Sequence, residues 1–351
     1  MAGPVLVEVT RGPLVESRHR GALAIAGADG LARLALGDID EPVYPRSAVK
    51  ALQALPLVES GAADAFGLTE AEIALACASH SGEPQHVAAA RSMLEKVGLD
   101  EGALACGAHP PRRQEDILAL HAAGEAAGRV HNNCSGKHAG MLALARHMKI
   151  DTAGYNRPDH PVQRRVRACL SEMTGAELGE NVRGTDGCSL PNWAMEPSAL
   201  ATGFARFATG KGLAKARAAA CARIRRAVSS HPFMVAGTDR FCTTVMEAAP
   251  AVFVKTGAEG VFCAAFPESG LGAALKIEDG AARASQALMA AVVLAVAPLD
   301  DAARGAIAAL ARPVLRNWAG IEVGEIRVAE SVAARLKDPD GISMAGLPGG
   351  R

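Results

Sequence analysis

The sequence predicts a mixed α/β fold of the α+β kind: one antiparallel sheet built from the two ends of the chain, with a helical lobe between them. Three observations carry this. Val-rich or alternating segments separated by Gly and Pro turns open the chain, helical periodicity fills the middle, and short apolar segments with turn boundaries return after His231. On this reading residues 1–351 form a single unit, with the sheet drawn from about 1–40 and 231–351 and the helical region from about 41–230. The natural ligand site lies where the two parts meet.

Residues 4–9, 22–27 and 32–36 read as short antiparallel strands separated by Arg-Gly-Pro and Gly-Ala-Asp-Gly turns. Pro45 opens the first helix, whose apolar positions are Val49, Leu52, Leu55 and Val58. Further helices are predicted near 69–78, 84–97, 115–127, 137–148, 160–173, 197–208 and 213–229. A short helix around 238–247 then precedes strands at Ala251–Lys255, Gly260–Phe266 and Gly272–Ile277. A helix at 281–297 and a mixed tail complete the chain.

Composition narrows the ligand. The 351 residues carry 37 basic and 37 acidic side chains, so the general attraction that a nucleic acid or an anionic membrane requires is absent. A small neutral or zwitterionic molecule is the expected partner. The N-terminus lacks the pattern of a secretory signal, and the longest apolar run, Ala287–Ala297, is too short to span a bilayer. A cytoplasmic location follows as an expectation. The 8 cysteines are scattered, unlike a small disulfide scaffold, and most are expected as core thiols.

Four segments hold residue types suited to chemistry. In Pro45-Arg46-Ser47-Ala48-Val49-Lys50 the three-residue spacing puts a hydroxyl and an amine on one helical face, which suits a serine nucleophile and a lysine base. Keeping that lysine neutral at pH 7 costs about 4–5 kcal/mol unless the site lowers its pKa. The same spacing also occurs by chance in ordinary helices. In Ser79-His80-Ser81-Gly82, Ser79 is either a second hydroxyl in the site or a cap for the helix opening at Pro84. Lys255-Thr256-Gly257 ends an apolar strand, and is either a plain strand end or the cleft-lining strand that accompanies Ser-x-x-Lys in penicillin-recognising serine hydrolases. Finally, Cys134 and Lys137 stand at the mouth of a helix, and the loop Gly184–Ser189 presents Cys188. These three are either unligated buried groups or a three-donor zinc site with one position open. Zinc binding supplies about 10–16 kcal/mol in structural sites, enough to offset deprotonating a lysine.

The segments Val5–Arg11, Pro42–Lys50, Ala76–Gly82, Asn132–Gly140 and Gly184–Pro191, in this order and across nearly the full length, closely resemble the rhizobial-type L-asparaginases, the class 3 or asparaginase II family. Asn-Asn-Cys-Ser-Gly-Lys-His-Ala-Gly and Gly-Thr-Asp-Gly-Cys are the specific elements of the match. The resemblance implies a glutaminase and serine β-lactamase-like fold acting as one catalytic unit, a homodimer, and hydrolysis of L-asparagine to L-aspartate and ammonia. It further implies two Ser–Lys pairs, Ser47 with Lys50 and Ser79 with Lys255, with Ser47 as nucleophile. Zinc is implied on Cys134, Lys137 and Cys188, and Arg46, His138 and Asp186 as substrate-positioning groups. The sequence does not fix the side-chain pocket, so a glutaminase, a β-lactamase-like or esterase-like hydrolase, and a zinc-stabilised amino-acid-binding protein remain rival readings.

Only nine lysines occur in a chain that otherwise prefers arginine, and three of them, Lys50, Lys137 and Lys255, fall in this set. A guanidinium, permanently charged, serves neither as base nor as zinc ligand.

Overall fold

A computed structural model describes residues 3–338. Among the described residues ten strands form: β1 (Val5–Arg11), β2 (Leu14–Gly27), β3 (Ala32–Leu36), β4 (Arg183–Thr185), β5 (Pro191–Trp193), β6 (Phe253–Thr256), β7 (Val261–Phe266), β8 (Leu271–Ile277), β9 (Val314–Arg316) and β10 (Glu322–Val328). Eight of them make one antiparallel sheet in the order β6-β7-β8-β2-β1-β10-β9, with β3 paired to the second half of β2 on the edge opposite β8. This is the mixed α/β architecture expected, with N- and C-terminal strands interleaved in one sheet. The last part of the expected sheet segment, residues 339–351, lies outside the described residues.

β2 and β10 differ from the expectation for one reason. β2 runs 14 residues, whereas only 22–27 has a strand-like apolar pattern. Its first half, Leu14–Arg20, is polar, and is held as strand by pairing with β1, as in Val9↔Ser17 and Val7↔His19. β10 lies in the tail that the sequence left unassigned, and is fixed on the other side of β1 by Val9↔Ile326 and Val7↔Val328. Partner strands supply the hydrogen bonds that local propensity does not specify.

β7 is buried at every position, which requires cover on both sides. Helices Pro197–Thr209 and Ala282–Val296 both pack on it. At Gly272 of β8 a Cβ would stand 2.1 Å from the Ala201 carbonyl, so only glycine lets helix Pro197–Thr209 lie this close to the sheet.

The middle of the chain is helical, as predicted, with local corrections. The helix expected from Pro45 is broken into a 3-10 turn, Arg46–Val49, and two short helices, Lys50–Gln53 and Leu55–Glu59. Pro45 caps the turn rather than occupying its first position, and Pro56 interrupts the ladder because it lacks an N–H. The helix predicted over 115–127 spans Gln114–Ala122, and Gly124 follows at φ +69°, the left-handed conformation that closes helices. Among the described residues no helix is long and apolar enough to cross a membrane.

Candidate active site

Helix Glu70–Ala76 begins with a capping box between Thr69 and Glu72 and ends at Cys77, from which the chain runs on through Ala78, Ser79, His80 and Ser81. Helix Ser135–His147 packs directly against it. A Cβ on Gly136 would lie 2.4 Å from the Leu75 carbonyl oxygen, and one on Gly140 3.3 Å from the Ala76 Cβ. These two glycines, one turn apart, draw Cys134 and Lys137 up to the Ser79 segment. His80 Nε2 then meets Ser135 Oγ at 2.9 Å while its Nδ1 accepts the Gly82 N–H, so this histidine is satisfied within the scaffold.

The sheet delivers Lys255. β6 carries it to within 2.9 Å of Ser79 Oγ, and Gly257 just beyond allows the strand end to abut the Arg46–Val49 turn. A Cβ there would be 2.7 Å from the Pro45 carbonyl oxygen.

From the other direction Lys50 Nζ lies 3.0 Å from the same Ser79 oxygen. It also donates to the Ala78 carbonyl at 2.5 Å, and lies 3.3 Å from the Asn133 carbonyl and 3.1 Å from Cys134 Sγ. The spacing argument pairs Lys50 with Ser47, but the structure directs it to Ser79. Four buried acceptors outbid one hydroxyl of the same turn. The Ser47 hydroxyl is half-buried and has no hydrogen-bond partner among the described residues.

Both lysines are fully enclosed. Burial lowers the pKa of each, since a buried ammonium loses its hydration. For Lys255, with the nearby Lys50 charge adding repulsion, the value falls to about 7. For Lys50 the Cys134 thiolate works in the opposite direction.

Cys134 Sγ donates to Asn133 Oδ1 at 3.1 Å and Cys188 Sγ to Asp186 Oδ2 at 3.6 Å. The neighbouring Cys188 thiol holds Cys134 well below the usual thiol range, with Lys137 and Lys50 reinforcing the thiolate against the cost of burial. Cys188 is pushed up by Cys134 and by burial. Lys137 Nζ donates to Cys188 Sγ at 3.2 Å. Burial alone would lower its pKa, but the charges of Cys134, Cys188 and Asp186 outweigh burial and raise it.

Cys188 is presented by the tip of the β4–β5 hairpin, a pair too short and too rich in Gly and Pro to be legible beforehand. Asp186 on the same tip accepts from Arg46 Nε at 2.6 Å. Burial would raise the Asp186 pKa, and Lys137 with Arg46 brings it below the ordinary value. Arg46 holds this contact from a backbone at φ +51°, a left-handed conformation costing about 1–3 kcal/mol in a non-glycine residue. His138 is fully buried. Its Nδ1 is 2.5 Å from the Tyr155 hydroxyl, its Nε2 has no partner among the described residues, and burial with the Lys137 charge keeps it neutral.

The ten residues singled out in the sequence therefore gather at one seam between sheet and helices. Two hydroxyls, three amines, two thiols and an Arg–Asp pair converge there, a set able to move protons around a polarised carbonyl. A model describing the L-asparaginase II family matches residues 7–328. The chain belongs to the L-asparaginase II family. This asparaginase II family member is accordingly an amidohydrolase acting on a small molecule. It is also similar to a β-lactamase from Mycobacterium bovis, at 14% identity, over 78% of this chain and 93% of that chain, with a TM-score of 0.41. No curated protein matches it.

Among the described residues no group of three or more His, Cys, Asp or Glu side chains is arranged for a metal. The expected zinc set differs in having a lysine as its third donor. Its chemistry fits the ion: two neighbouring sulfurs, one already favoured as thiolate, and an amine 3.2 Å from the other. Tyr155 and Arg240 also stand here, and nothing in their local sequence marks them, whereas Ser81 falls in the Ser79–Gly82 segment.

Proposed function

We propose that this family member hydrolyses L-asparagine to L-aspartate and ammonia through an acyl-enzyme on Ser47. The observation that carries the reading is the bracketing of Ser79 by two buried amines, Lys255 at 2.9 Å and Lys50 at 3.0 Å. A neutral Lys255 takes the Ser79 proton, Ser79 takes one from Lys50, and Lys50, so neutralised, takes the proton of Ser47 as it attacks the side-chain amide carbon. The chain then runs in reverse. It protonates the departing ammonia and afterwards draws a proton from the water that cleaves the ester. Ser47 suits the attacking role because its hydroxyl is uncommitted among the described residues and more open than that of Ser79.

Cys134, Lys137 and Cys188 would hold zinc, which when bound supplies a fixed positive charge that polarises and orients the substrate. Arg46, Asp186 and His138 line the same region and position the amino acid. Ammonia release from L-asparagine, with L-glutamine and a β-lactam reporter alongside, tests the reading. Absence of release from asparagine, with and without added zinc, overturns it. A homodimer in the cytoplasm is proposed on the family likeness alone.

The Ser79 bracket also favours a second reading, in which Ser79 is itself the nucleophile and Lys255 its base. Activity that survives Ser47→Ala but not Ser79→Ala selects it.

A further inference from the structure

An amino-acid substrate brings a carboxylate, and a carboxylate entering a partly dry site needs a cation that is not already neutralised. The arginines around Ser79 differ in this respect. Arg46 is committed to Asp186 at 2.6 Å, and Arg113 to Glu83 and Glu115 at 3.4 and 3.1 Å. Arg240 has no carboxylate within ion-pair distance among the described residues, and its one side-chain hydrogen bond goes to a hydroxyl, Ser81 Oγ, at 3.3 Å. Glu83, the carboxylate whose charge acts on Arg240, is occupied, with one oxygen on the Thr238 N–H at 2.8 Å and the other on the Thr238 hydroxyl at 2.6 Å and on Arg113.

The place of Arg240 is built rather than accidental. Ser81 lies two residues beyond Ser79 on one pinned segment: Ser79 N–H donates to the Val235 carbonyl at 3.0 Å and Ser81 Oγ to the Ala236 carbonyl at 3.0 Å. The main-chain N–H of Arg112 donates to the Ser81 carbonyl at 2.8 Å, so two arginines, neither with an ion-pair partner among the described residues, are tied to one serine two residues from Ser79, Arg240 by its side chain and Arg112 by its main chain. Arg240 is half-buried and stands at the N-cap position of helix Phe241–Ala248, the positive end, without a capping bond from its side chain. Burial and the charge of Arg112 lower its pKa, and its own charge in turn lowers that of Lys255, so it stands within electrostatic reach of the Ser79–Lys255 pair. Enclosing a guanidinium without a counter-ion is costly unless an anion completes it.

We propose that Arg240, seconded by Arg112, is the anchor for the α-carboxylate of the amino-acid substrate, through the unused N–H groups of its planar fork. The proposal rests on the reading of the protein as an amino-acid amidohydrolase. It assigns Arg240 to the carboxylate and leaves the Arg46–Asp186 pair facing the substrate's other polar groups. It also states a specificity: amides lacking the α-carboxylate gain nothing from this contact.

The test compares the parent with Arg240→Met and Arg240→Lys, each checked for an unchanged circular dichroism spectrum and melting temperature. Arg240→Met is expected to raise KM for L-asparagine, and the Kd for L-aspartate by calorimetry, about 10- to 100-fold, with kcat within about threefold. Arg240→Lys falls between. Inhibition by 3-aminopropanamide, which is asparagine without its carboxylate, stays unchanged in both variants. A KM and an L-aspartate Kd within twofold of the parent overturn the anchor, as does equal weakening of 3-aminopropanamide, the mark of a merely structural role. A parent protein that releases no ammonia from asparagine overturns the function instead, and the L-aspartate Kd, which needs no turnover, still judges Arg240 separately.

Discussion

Lys255 reaches from the end of a sheet strand to stand 2.9 Å from the hydroxyl of Ser79, on the segment that leaves a helix 176 residues earlier in the chain. Burial and the charge of Lys50 bring its pKa to about 7, so a neutral amine is accessible at physiological pH. The rate should therefore rise as pH passes upward through about 7 and level off above it. Lys255→Arg, permanently charged, should lose at least about 100-fold in kcat. A flat pH profile in the parent, or full activity in Lys255→Arg, would remove Lys255 from the chemistry.

The same pKa has a stability consequence of definite sign. Between about 7 and its ordinary value of 10.5 the unfolded chain holds a proton on Lys255 that the folded chain lacks. Stability gains from this residue as pH rises across that window, and the penalty is largest below it. Lys255→Met should flatten that part of the curve in urea titrations run from pH 6 to 10. An unchanged slope would place the titration elsewhere.

The two serines separate by mass spectrometry. If Ser47 carries the acyl group, Ser47→Ala should reduce turnover by more than about 1000-fold and abolish any trapped ester, while Ser79→Ala slows the reaction yet leaves Ser47 acylable. An ester found on Ser79 reverses the assignment.

Gly136 sets the approach of the thiol helix. Alanine there places a Cβ 2.4 Å from the Leu75 carbonyl oxygen, and main chain cannot yield as a side chain can. Gly136→Ala should cost about 1–3 kcal/mol in chemical unfolding and shift Cys134 and Lys137 away from Ser79. Gly305→Ala is the contrast, since a Cβ at that helical position meets nothing within 4 Å. It should stabilise by about 0.5–1 kcal/mol. Equal effects would show that close packing is not what Gly136 provides.

Zinc added to metal-free protein should bind one ion per chain and release protons, because a thiol and an ammonium must both deprotonate to ligate it. Cys134→Ser, Cys188→Ser and Lys137→Met should each weaken uptake by at least about 10-fold, read directly by calorimetry. Uptake unaffected by all three variants would move the metal elsewhere.

Most helices and the strands β6, β7 and β8 were legible because each buries a periodic or continuous apolar face, which local sequence alone encodes. β10 and the first half of β2 were not, since their polar residues are made strand by pairing with β1. The β4–β5 hairpin that presents Cys188 and Asp186 was hidden for the related reason that three-residue strands have no period to detect.

By itself the sequence determined which chemistry is available: hydroxyls, thiols, and three lysines at positions where arginine would be useless, in an order that resembles one family. Only the tertiary structure decided which groups meet. Spacing sets Lys50 beside Ser47, yet the folded chain offers it Ser79, Cys134 and two main-chain carbonyls in a dry interior. Arg240, unremarkable in sequence, becomes conspicuous only once Glu83 and Asp186 are seen to be occupied by other groups. A side chain's partner is chosen among all the groups that folding gathers around it, and burial makes that choice decisive, because an unmet charge or hydrogen bond costs far more there than in water.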